Sequence, residues 1–80
     1  MTYPEYHIVF PEGDTQEIQA PLRIDSLVDL NGNPLVPPLR TARIIAYRVV
    51  KIRQIEEKGC DASYFYLELV PPAELMRYVL

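Results

Sequence analysis

The chain has 80 residues, of which 49% are hydrophobic and 24% charged, and its net charge is −3. This length fits a single small domain over residues 1–80, and the balance is that of a folded chain rather than a disordered one. Cys60 is the only cysteine and His7 the only histidine, which excludes an intrachain disulfide and a zinc site of four Cys or His ligands. Without staples, a chain this short must rest on its core or on a partner. No apolar run approaches the roughly 20 residues that cross a bilayer. The segment from Met1 to Glu5 has neither the basic nor the apolar region of a signal peptide. The expectation is a cytoplasmic protein without membrane association and without a cofactor, to which one unpaired thiol conforms.

Charge is segregated along the chain. Residues 1–39 hold six acids and one base, residues 40–55 hold five bases and no acid, and residues 56–80 hold five acids and two bases. A basic middle element thus lies between two acidic ones.

In chain order, Tyr6 to Phe10 is rich in β-formers and bounded by Pro4 and Pro11, which predicts a strand. Pro11-Glu12-Gly13-Asp14 is turn chemistry, and Gln16 to Ala20 is a short second strand that completes a hairpin. Leu27 to Leu30 runs into Asn31-Gly32, a strong hairpin signal because both residues tolerate positive φ. Pro34, Pro37 and Pro38 each lack a backbone donor, so residues 33–39 read as an edge segment or an irregular loop.

Residues 42–56 read as a long strand rather than a helix. Ile44, Ile45, Val49, Val50, Ile52 and Ile55 are β-branched, no clean polar face emerges at helical period, and the bases precede the acids, against the helix dipole. Both faces are apolar near residues 44–50, which predicts a bulge there. Lys58-Gly59 is then a turn, and Ser63 to Val70 alternates, with Phe65, Leu67 and Leu69 on the inner face and Tyr64, Tyr66 and Glu68 on the outer. Pairing 57 with 60 sets Ile52 against Phe65, Val50 against Leu67, Lys51 against Tyr66 and Arg53 against Tyr64. Pro71-Pro72 ends the strand. Ala73 to Leu80 forms a short helix whose apolar residues, Leu75, Met76, Val79 and Leu80, gather on one side, as a cap on the open end of the barrel or as an interface between two copies. The sum is a mainly β fold: a small antiparallel, partly open barrel, SH3-like in size, with a long C-terminal hairpin and a short C-terminal helix.

Function is only weakly written in these residues. His7 on a strand and Cys60 at a hairpin tip form no nucleophile–base pair, and the carboxylates are scattered rather than paired. Gly13, Gly32 and Gly59 are isolated in turns, so no phosphate-cradling loop is present. Pro34 to Arg40 has a PxxP spacing but places its basic residue one position too late for an SH3 ligand. These features point to a non-enzymatic protein-interaction module that binds a protein partner or a second copy. The best binding face is Arg48, Lys51, Arg53, Tyr64 and Tyr66, with Tyr47 grouped beside them. The alternative is a single-stranded nucleic-acid binder that stacks bases on the same tyrosines. Nucleic acid ranks below protein because the net charge is acidic.

Overall fold

A computed structural model describes residues 3–79. The elements are β1 (Tyr3–Val9), β2 (Thr15–Ile18), β3 (Leu27–Asp29), β4 (Pro34–Leu35), β5 (Ala46–Glu57), β6 (Cys60–Leu69) and α1 (Pro72–Leu75), followed by a 3-10 turn at Met76–Tyr78. The strands form one sheet in the order β2-β1-β6-β5-β3-β4. It is a half-barrel with a long hairpin and a short C-terminal helix, the mainly β architecture that the sequence predicts. The sheet is mixed, however, and not wholly antiparallel. β1 runs parallel to β6, from Tyr3 beside Cys60 to Val9 beside Tyr66. Parallel neighbours need a long crossover, so local turn chemistry reveals only the hairpins.

The β5–β6 register pairs Ile52 with Phe65, Lys51 with Tyr66, Arg53 with Tyr64 and Glu57 with Cys60, as expected, and a bulge interrupts it between Val49 and Lys51. The bulge moves Val49, not Val50, opposite Leu67. Two consecutive β-branched residues cannot both face inward on a regular strand, so the bulge buries Val49 and leaves Val50 outside. Two further expectations are corrected. β5 starts at Ala46; Thr41 Oγ1 accepts from the Arg43 N–H at 3.0 Å in the preceding loop, and Ile44 and Ile45 are exposed. Leu69, expected inside, is 54% exposed, although it lies opposite Tyr47, whose ring is buried and packs edge-on to Phe10 at 5.2 Å.

Two cores use alternate residues of the same strands. Ile8, Phe10, Val28, Tyr47, Val49, Phe65 and Leu67 fill the concave face. Leu27, Leu39, Ala46, Val70 and Leu75 form a second cluster on the other side. Neighbouring residues of β3 (Leu27, Val28) and β5 (Ala46, Tyr47) thus serve opposite faces, as strand alternation requires. The concave face closes where the β3–β4 turn reaches β2: the Gln16 side-chain amide donates to the Asn31 carbonyl at 2.7 Å. Gly32 is required there. Its φ is +83°, and a Cβ would lie 2.9 Å from Ile18 Cγ2 and 3.0 Å from Ile8 Cδ1.

The C-terminal helix is a single turn, started by Pro72 with its preset φ. Leu75 is buried in the second core, and Val79 packs against it and bridges to Leu39. The helix therefore docks on the outer side of this sheet rather than over the open end of the barrel. Met76 is 63% exposed and takes no part, which removes it from the predicted apolar cluster; Leu80 lies outside the described residues.

Candidate interaction face on the outer side of the sheet

The outer side of the sheet is covered only in part. α1 and the second core occupy one end. Beyond the bulge, four strands line up outward side chains in rows. One row runs Glu17 (β2), His7 (β1), Tyr64 (β6) and Arg53 (β5); the next runs Thr15, Val9, Tyr66 and Lys51. The His7 and Tyr64 rings stack with centroids 5.1 Å apart and planes inclined by 16°. Lys51 Nζ stands 5.6 Å from the Tyr66 ring centroid, within the range of a cation–π contact. Lys51 and Arg53 are exposed, and both tyrosines are half-buried by their strand neighbours. Four of the expected face residues, Lys51, Arg53, Tyr64 and Tyr66, are thus brought together.

Arg48 is on the same side but is already engaged. Its guanidinium donates to Glu68 Oε1 at 2.8 Å and to Glu74 Oε1 and Oε2 at 3.0 and 3.1 Å. These bonds hold Arg48 firmly charged and draw the Glu74 carboxyl below its ordinary range. The residue ties β5 and β6 to α1 instead of offering a free cation. Tyr47 departs altogether: it sits on the concave face, in the core.

At the hairpin end of this face, Glu5, Ile55, Glu57, Cys60, Ala62 and Tyr64 line a cavity of about 150 Å³. Cys60 is the first residue of β6 and half-buried, not an exposed tip residue. Its thiol donates to the Glu5 carboxylate. That bond, then partial burial, then the nearby acids push the thiol up to about 11 from an ordinary 9.0. The thiolate is the reactive form. Alkylation of the native protein near neutral pH should therefore be about tenfold slower than for an ordinary cysteine: two pKa units cut the thiolate fraction about 100-fold, and the greater nucleophilicity of the more basic thiolate returns about tenfold of that. Glu5→Gln should restore much of that rate. Labelling of the parent protein as fast as that of a free thiol would contradict the contact.

His7 and Cys60 stay apart: Cys60 pairs with Tyr3, and His7 with Tyr64, four residues further along. Among the described residues, no group of three or more His, Cys, Asp or Glu side chains is placed to hold a metal. Among them too, no helix is long and apolar enough to cross a membrane. Sequence reasoning missed His7 and Glu5 as members of the face, since both arrive through the parallel β1–β6 pairing.

A family model described as "Uncharacterised Treponema protein" matches residues 2–78, and the chain belongs to that family. No curated protein and no solved structure matches it.

Proposed function

We propose that this member of the uncharacterised Treponema protein family is a non-enzymatic interaction module that binds a protein partner through the outer face around His7, Tyr64 and Tyr66. One observation carries the reading: three half-buried rings stand in register on an uncovered sheet face, flanked by the exposed cations Lys51 and Arg53. Tyrosine and arginine are the residues over-represented where binding energy concentrates, because rigid rings bury large area at small entropic cost. The acids Glu5, Glu17 and Glu57 share the outer face with the cations, Glu17 at the far end of the row that ends in Arg53, so the face is of mixed charge, which suits a protein surface better than a polyanion. The lone free thiol fits a cytoplasmic site of action.

Affinity capture from the cells that make the protein tests this. Proteins held by the parent chain should be lost about 30-fold or more with Tyr64→Ala/Tyr66→Ala, since hot-spot truncations cost about 2 kcal/mol or more. They should be retained with Met76→Ser on the far side of the helix. Equal capture by all three would remove the proposal. The second reading, a single-stranded nucleic-acid binder, rests on the Lys51–Tyr66 and Arg53–Tyr64 pairs. With two free cations, log affinity for an oligonucleotide should fall with log salt at a slope of about −1.4, at roughly 0.7 per phosphate neutralised. Binding with that slope, abolished by Tyr66→Ala, would replace the protein reading.

A further inference from the structure

β5 is the longest strand, yet only its first part is paired on both sides. β3 pairs with Ala46 to Arg48, and the Asp25–Ser26 backbone bonds both the N–H and the C=O of Val49. From Val50 to Glu57, β6 covers one edge, and among the described residues no strand pairs with the other. This open edge is unlike the ends of the sheet, β2 and β4, which have four and two residues. Short edge strands are a common protection against unwanted pairing, and β5 lacks it. Its residues 50–54 are all exposed, including Val50 at 45% and Ile52 at 37%. Exposure of two β-branched residues on a regular, extended backbone is a template for strand addition.

The charge order along this edge selects the strand that fits. Lys51 and Arg53 lie at its beginning, and Glu56 and Glu57 at its end. A parallel copy would set like charge on like charge; an antiparallel copy sets basic against acidic. We infer that the open Val50–Glu57 edge of β5 pairs antiparallel with the same edge of a second copy, about a two-fold axis at Gln54. In that register Lys51 faces Glu57 of the other copy, Arg53 faces its Ile55 with Glu57 at the diagonal, and Ile52 faces its Glu56. A shift of two residues in one direction sets Arg53 on Arg53; in the other it sets Arg53 on Glu57 but Lys51 on Gly59, beyond the end of the strand, so the Gln54 register is the one that pairs the whole stretch from Lys51 to Glu57 with no like charges opposed. Such a contact is isologous and closed, as the commonest oligomers are. It is separate from the protein-binding reading above, although it extends the outer faces of the two copies into one surface, because opposite residues of antiparallel strands project to the same side.

Charge exchange tests it. The parent chain should sediment as a concentration-dependent dimer. Lys51→Glu/Arg53→Glu makes the edge wholly acidic, and Glu56→Lys/Glu57→Lys makes it wholly basic; each alone should be monomeric, and an equal mixture should form a heterodimer. A monomeric parent chain, unchanged dimers in both variants, or a mixture that does not associate would each overturn the inference. A second arm fixes the register and does not use the tyrosine face. In a Cys60→Ser background, Gln54→Cys should be joined into a covalent dimer by a short bis-maleimide, since directly opposed Cβ atoms lie about 4.5–5.5 Å apart, close but too far for an unstrained disulfide. Lys51→Cys in the same background should not, because it faces Glu57. Equal cross-linking of the two, or none from Gln54→Cys, would overturn the Gln54 axis.

Discussion

Phe65→Ala is expected to lower the free energy of unfolding by about 3–5 kcal/mol, the usual cost of removing a buried aromatic ring. The ring is 2% exposed at the centre of the concave core. It lies between Ile8 on the parallel side and Ile52 on the antiparallel side, with the Tyr6 ring at 6.4 Å. Its neighbours are held in place by strand pairing, which limits how far they can collapse into the space. At about 0.05–0.15 kcal/mol per residue, a chain of this length has roughly 4–12 kcal/mol in all, so the substitution removes a large part of it. Tyr64→Ala, one residue away on the other face, should cost about 1 kcal/mol or less, the scale of one aromatic contact. Urea unfolding of the two variants measures the difference. Equal or reversed costs would mean that β6 is slipped by one residue, which would exchange its faces.

Leu75→Ala is expected to cost about 2–5 kcal/mol, for the same reason in the second core. Leu75 is 1% exposed, against Leu27, Leu39, Ala46 and Val70. One helical turn has no stability of its own, so its docking depends on this side chain and on the Glu74 bonds to Arg48. The loss of stability relative to the parent chain should be the same at every protein concentration, because the helix packs within its own chain. Met76→Ala, exposed on the same turn, should change stability by less than about 0.5 kcal/mol. A loss of stability that disappears at high concentration would instead make the helix an interface between copies.

The outer face was legible in the sequence where it depended on one hairpin. Alternation from Ser63 to Val70 and the Lys58-Gly59 turn place Tyr64, Tyr66, Lys51 and Arg53 together, and the structure does the same. Sequence alone reads Arg48 as a free cation because its partners, Glu68 and Glu74, come from two other elements. Residue type groups Tyr47 with the outer tyrosines, but it does not show which side of the sheet a position takes; the register opposite Leu69 and the packing on Phe10 do. The turn residues read Cys60 as a hairpin tip, and nothing local announces that Glu5 will lie against it.

Local chemistry by itself determined the turns, most of the strands and the register of the long hairpin from Lys51 to Glu57. Turn residues, β-branched runs and period-two alternation act over a few positions, and no distant part of the chain can overrule them cheaply. Tertiary structure alone decided the parallel seating of β1 on β6, the choice of Val49 over Val50 for the core, and the docking side of the helix. Each of these is a competition between surfaces far apart in the chain. Its outcome is set by which apolar side chains can be buried together, and that quantity exists only once the strands have met.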